Sequence, residues 1–76
     1  MRDVPHELGD AFYAGQRGDL VRFCINDSVE ILGGPYAGLG GAVISIESIT
    51  PEVMLLVELG SGSDVIVLQD SLRFVE

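Results

Sequence analysis

The segment Gly33-Gly34-Pro35-Tyr36-Ala37-Gly38-Leu39-Gly40-Gly41 places five glycines in nine residues, between two apolar runs. Glycine reaches positive φ values and lets other groups approach the backbone closely, so the segment could cradle a phosphate or bend a strand. Gly33 and Gly38 have the spacing of a P-loop, but Leu39 and Gly40 stand where that loop requires lysine and a hydroxyl residue. The sequence therefore favours a structural turn over a phosphate site.

As a turn, the segment combines a proline that fixes one φ with glycines that permit sharp bends. The residues predicted to shape it are Gly34, Pro35, Gly38 and Gly41. Tyr36 and Leu39 are its two large side chains, and they have two interpretations. They pack back onto the fold, or they form an exposed surface that binds a partner.

Beyond Gly18, β-branched and aliphatic runs alternate with turn residues, a texture typical of a small β fold. Leu20 to Ile25 is either a further strand or an extended lead-in. Strands that follow one another in sequence are expected to pair as a meander and form a small barrel. The five predicted strands are Ser28 to Leu32, Ala42 to Ile49, Val53 to Leu59, Val65 to Leu68 and Leu72 to Val75.

An amphipathic helix is predicted before the strands, because Val4, Leu8, Ala11 and Phe12 recur at helical spacing. It runs from Asp3 to Gln16, with Asp3 as the N-cap, Pro5 in the first turn and Gly15 at the end. The chain divides near Asn26. Residues 1–26 form the N-terminal helix and lead-in segment, and residues 27–76 form the β-barrel.

Two of the predicted strands, Val53 to Leu59 and Val65 to Leu68, are apolar on both faces. Successive side chains of a strand point to opposite sides of the sheet, so burial on one side alone would predict alternation. Something must therefore cover the outer face. The N-terminal helix and a second subunit are both candidates, and a homo-oligomer is one expected outcome.

The chain of 76 residues carries twelve acidic residues and four arginines, for a net charge of −8. Nucleic-acid affinity depends largely on lysine and arginine, so this charge disfavours a nucleic-acid partner. The apolar fraction of 47% is high for so short a chain and predicts apolar surface that meets a protein partner. No apolar run reaches the ~18 to 20 residues of a membrane helix, and a cytoplasmic protein without membrane association is expected.

Enzyme chemistry is not predicted. His6 and Cys24 are the only members of their types, so their spacing suggests neither a metal cluster nor a catalytic pair. Cys24 lies between Phe23 and Ile25 and is expected to be a small core residue. The sequence predicts no catalytic residue, no cofactor and no metal.

The run from Asp27 to Glu47 follows the pattern D-x-V-x-I-x-x-G-P-Y-A-G-L-x-G-x-V-x-x-I-E. It resembles the KOW motif of NusG-type transcription elongation factors and several ribosomal proteins, and Gly41 matches the defining glycine of that motif. With the segment that follows, the likeness covers Asp27 to Val75. It implies a small five-stranded SH3-like barrel. With the short N-terminal α-helix predicted from the residue spacing, the expected fold is mainly β.

The resemblance departs at the positions where family members that grip nucleic acid carry basic residues, which here are Ala37, Gly38, Leu39, Gly40 and Ala42. A noncatalytic protein-binding or self-associating module is therefore the leading hypothesis. The alternative is a nucleic-acid-binding protein of the transcription or translation machinery that uses a few arginines. A weaker third hypothesis is an acidic mimic of nucleic acid. The candidate partner-binding residues are Tyr36, Leu39, Arg17, Arg22 and Arg73.

Overall fold

The computed structural model describes residues 4–75. Within them lie one helix, α1 (His6–Tyr13), and five strands: β1 (Ser28–Ile31), β2 (Gly40–Ser48), β3 (Met54–Leu59), β4 (Asp64–Leu68) and β5 (Leu72–Phe74). A short 3-10 turn, Gln69–Ser71, joins β4 to β5. All five predicted strands are present, with ends displaced by at most two residues, and residues 20–25 form no strand.

The strands form one antiparallel sheet in the order β4-β3-β2-β1-β5. The first four pair as the predicted meander, but the meander is wrong for β5, which pairs with β1. The 3-10 turn redirects the chain across the sheet, and Leu32 N–H donates to Ser71 O at 2.7 Å where the two strands meet. Between residues 4 and 75 no ladder joins β4 to β5, so the five-stranded sheet is confirmed and its closure into a barrel stays a prediction.

One apolar core lies on the inner face of the curved sheet. Strand β2 carries register shifts between Val43 and Ser45 and between Ile46 and Ser48, and such irregularities bend a strand. Residues before the first strand belong to the same core, which includes Phe12, Val21, Phe23, Val29, Ile31, Val43, Ile46, Leu55, Val57, Val65, Val67 and Leu72.

Helix α1 is shorter than predicted at its C-terminal end. Gly15 has a φ of 79°, and Gln16 N–H donates to Ala11 O while Gly15 N–H donates to Phe12 O. This is the Schellman arrangement, in which a glycine in the left-handed region ends the helix. Gly15 therefore ends the helix as predicted. Pro5 stands at the N-cap position, and the predicted cap Asp3 lies outside the described residues.

Helix α1 packs on its own sheet through Phe12, which is 1% exposed within the core. Ile25 N–H also donates to Phe12 O at 3.2 Å, which ties the lead-in to the end of the helix. The helix does not cover the outer face of β4, because Ile66 and Leu68 remain exposed there. No helix in the described part of the chain is long and apolar enough to cross a membrane.

Candidate interaction surface

The loop between β1 and β2 is held by two hydrogen bonds across its base. Gly38 N–H donates to Ile31 O at 2.7 Å, and Ile31 N–H donates to Leu39 O at 2.9 Å. Gly34 and Gly38 have φ values of 82° and 89°, a region that side-chain-bearing residues rarely adopt. The loop is thereby fixed in shape and carries Tyr36 at its tip.

Gly41 is required for a different reason from Gly34 and Gly38. Its φ is not positive, but the backbone of β3 lies very close to it. A Cβ atom at Gly41 would stand 2.2 Å from the backbone oxygen of Glu58. Backbone cannot move aside as the tip of a flexible side chain can. Glycine at this position therefore permits the β2–β3 pairing that the rest of the sheet depends on.

The outer side of β3 and β4 carries four apolar side chains, which we call the outer apolar face: Met54, Leu56, Ile66 and Leu68. In β4 burial alternates, with Val65 and Val67 in the core and their neighbours outside. Ile66 is 52% exposed and Leu68 is 37% exposed. Burying such a side chain contributes ~1.5 to 3 kcal/mol. The exposure of both therefore leaves this small domain less stable than their burial would.

A hollow of about 290 Å³ separates β4 from the β1–β2 loop. Pro35 and Tyr36 line it on one side, and Ile66 and Leu68 line it on the other. Tyr36 is 40% exposed there. The structure thus brings Tyr36 to the outer apolar face, whereas Leu39, also exposed, does not line this hollow.

Strand β4 is one edge of the sheet, and two hydrogen bonds at its ends fix which of its backbone groups face outward. Gln69 N–H donates to Val53 O at 2.9 Å, and Leu59 N–H donates to Ser63 O at 2.8 Å. Hydrogen-bonded pairs alternate along an antiparallel ladder. The odd-numbered residues of β4 therefore bond to β3, and the even-numbered ones direct their N–H and C=O groups away from the sheet.

We call the outward backbone groups of Asp64, Ile66 and Leu68 the free edge of β4. In the described sheet no strand pairs with this edge. The side chains of the same three residues also lie on the outer side of the sheet, where all are exposed. Backbone donors and acceptors and apolar side chains are thus available at one place.

The end of β4 next to the β3–β4 turn is acidic. Glu58 of β3 stands directly opposite Asp64 of β4, and both are exposed. Like charges in directly opposite positions destabilise a sheet. Among the described residues, neither carboxylate lies in an ion pair with an arginine.

The three candidate arginines do not meet at one site, and each is paired with a carboxylate. Arg22 pairs with Asp70 on the surface, and Arg73 Nε donates to Glu30 at 2.7 Å across the β1–β5 ladder. Exposed pairs of this kind contribute little to stability, but they reduce the positive charge that a phosphate backbone would meet.

Arg17 contacts Asp27 and Phe74 and so has a structural role. Its Nε donates to Asp27 Oδ2 at 3.0 Å, its Nη2 bonds the other carboxylate oxygen, and its guanidinium lies 5.3 Å from the Phe74 ring centroid. Asp27 is 8% exposed and also accepts Cys24 N–H at 2.8 Å. Burial acts to raise the pKa of Asp27, but the bonds from Arg17 and Cys24 hold it below its ordinary value.

Cys24 and His6 occupy environments with different chemistry. Cys24 is buried, and burial followed by the charge of Asp27 raises the pKa of its thiol, which disfavours the nucleophilic thiolate. His6 is exposed on α1 and lies 3.2 Å from Asp10 one turn later. Within the described residues no three His, Cys, Asp or Glu side chains converge to hold a metal ion.

Gln69 was not recognised from the sequence, yet it fastens the lead-in to the sheet. Its side chain is buried, accepts Arg22 N–H at 2.8 Å and donates to Leu20 O at 2.9 Å. These contacts span almost fifty residues of sequence, so no local pattern could indicate them. A polar residue directly after an apolar strand was the single available signal.

These features define a small β-rich domain with an exposed apolar face beside the free edge of β4. Comparison of the chain with models of protein families, with curated proteins and with solved structures finds no match.

Proposed function

We propose that this chain is a noncatalytic protein-binding module, and that its docking surface is the outer apolar face together with Pro35 and Tyr36. The observation that carries the proposal is the exposure of Ile66 beside Tyr36 around one hollow. Contiguous apolar surface on a small domain marks an interaction site more often than a scattered apolar residue does. An aromatic side chain at its rim is typical of protein interfaces.

We also propose that Asp27 to Val75 is a KOW-like domain with an SH3-like barrel. Two observations support this assignment. The observed strands agree with the five predicted ones to within two residues. Gly41, which matches the defining position of the motif, is the glycine at which β2 and β3 approach each other closely. KOW-like domains that dock proteins need no basic patch. The alternative of nucleic-acid binding receives less support, because Arg17, Arg22 and Arg73 would have to leave their carboxylates.

The proposal is tested by selecting binders from a random linear peptide library displayed on phage. We expect enriched peptides to lose at least tenfold in affinity when Tyr36→Ser and Ile66→Ser are combined, since together the two side chains supply several kcal/mol of the apolar contact. Circular dichroism of the double variant should match the parent.

The matched control is Leu39→Ser, which removes a similarly exposed leucine that does not line the hollow beside the outer apolar face. It should leave the affinity of the selected peptides unchanged. Equal affinity of the selected peptides for the double variant and for the parent would exclude the outer apolar face as the docking surface.

A further inference from the structure

We propose that the free edge of β4 takes up an extended segment of a partner protein as a sixth, antiparallel strand. The segment carries apolar side chains at two alternate positions, followed two residues later by a lysine or arginine. This inference rests on the proposed function, because it names how the outer apolar face is occupied and by what chemistry.

The free edge supplies the backbone half of the interaction. The N–H and C=O groups of Asp64, Ile66 and Leu68 point out of the sheet, and an exposed strand edge is a template for an added strand. The opposite edge, β5, is a poorer template. It has three residues, and Leu72 N–H already donates to Gln69 O.

The register of an added strand follows from the hydrogen-bond pattern of β4. Residues of the segment opposite Leu68, Ile66 and Asp64 would form hydrogen-bonded pairs and place their side chains on the outer side of the sheet. The first two meet an apolar surface that Met54 and Tyr36 extend. Because the strand is antiparallel, the residue opposite Asp64 comes last.

The acidic end of β4 indicates which charge the partner residue opposite Asp64 carries. Glu58 and Asp64 lie opposite each other, and none of the arginines in residues 4–75 pairs with either of them. A lysine or arginine of the partner opposite Asp64 would stand beside that carboxylate, on the side away from Glu58, and offset part of the negative charge of the pair. The net charge of −8 further favours the approach of a basic segment.

A second copy of this chain fits the same edge less well. Two β4 strands paired about Ile66 would set each Asp64 opposite the other copy's Leu68, so no cation would reach the acidic end. Each copy would also bring the same net charge of −8. Charge complementarity therefore points to a different protein as the source of the segment.

The test uses the full chain and a blocked synthetic peptide, Ser-Val-Thr-Ile-Thr-Lys-Ser, whose Val, Ile and Lys would stand opposite Leu68, Ile66 and Asp64. We expect saturable binding, measured by calorimetry or by NMR shifts. Replacing the peptide's Lys by Glu should weaken it by about tenfold at low salt, and the difference should shrink as salt rises. Equal affinity of the two peptides would overturn the predicted charge.

Strand addition itself is tested by methylating one peptide nitrogen at a time. Methylation at the Ile nitrogen removes a donor aimed at Ile66 O and should weaken binding by about tenfold or more. Methylation at the first Thr nitrogen alters an amide that points away from β4, so it should change the affinity by less than about threefold. Equal losses would show that the peptide does not bind as a strand.

The two proposals fail in different ways. If the library peptides depend on Tyr36 and Ile66 but the designed peptide does not bind, the outer apolar face is a docking surface and strand addition is wrong. If sedimentation shows dimers that Ile66→Lys dissociates and the designed peptide does not disturb, the occupant is a second copy and the inference is overturned. If the variants still bind both the library peptides and the designed peptide as the parent does, both proposals are wrong.

Discussion

Alanine at Gly41 is expected to destabilise the protein by about 3 kcal/mol or more, because the added Cβ would overlap the backbone of β3. The nearest atom is Glu58 O at 2.2 Å, with Glu58 C and a Val57 methyl both at 2.9 Å. Relief of the overlap requires β2 and β3 to separate. A domain of 76 residues has a free energy of unfolding on the order of 4 to 11 kcal/mol, so most of the stability is at risk.

Urea denaturation followed by circular dichroism measures this effect. Gly60→Ala is the matched control, because a Cβ there meets nothing within 4 Å and the φ of Gly60 lies outside the left-handed region. Its free energy of unfolding should change by less than about 1 kcal/mol. Similar losses in the two variants would show that the close approach at Gly41 does not limit stability.

Truncation of Phe12 to alanine is expected to cost about 3 to 5 kcal/mol, the range found for large aromatic residues in cores. Phe12 is 1% exposed and lies in one cluster with the side chains of the sheet. The loss would show that α1 is part of the same cooperative unit as the strands, measured as a shift of the urea midpoint without a change in slope.

Tyr13→Ala is the control for Phe12, since Tyr13 is the next residue and is about half exposed. Its ring packs edge-on against Phe12 at a centroid distance of 4.9 Å, so its loss should cost about 1 kcal/mol. A cost of only about 1 kcal/mol at both positions would contradict the packing of the helix in the core.

The strands could be predicted from the sequence because turn residues separate the β-branched runs, as Gly60 to Asp64 do between β3 and β4. The pairing of β5 could not, because it depends on sheet curvature and on the path of the Gln69–Ser71 turn. The helix end followed from Gly15. A glycine in the left-handed region is a local signal, and local signals are visible in a sequence.

The candidate site was predicted in part. Tyr36 stood out as a large side chain in a glycine-rich turn, but its proximity to Ile66 depends on how the loop folds over the sheet edge. The apolar run Val65 to Leu68 gave no alternation from which to assign an outer face. The arginine pairs, such as Arg22 with Asp70, join residues far apart in sequence and become apparent only in the folded chain.

Amide hydrogen exchange along β4 tests the claim that this strand presents an unpaired edge to a partner strand. In the free protein the amides of Ile66 and Leu68 should exchange rapidly, while those of Val65 and Val67, bonded to β3, should exchange slowly. Adding the designed peptide should slow exchange at Ile66 and Leu68. Slow exchange at Ile66 in the free protein, or no slowing with the peptide bound, would contradict the claim.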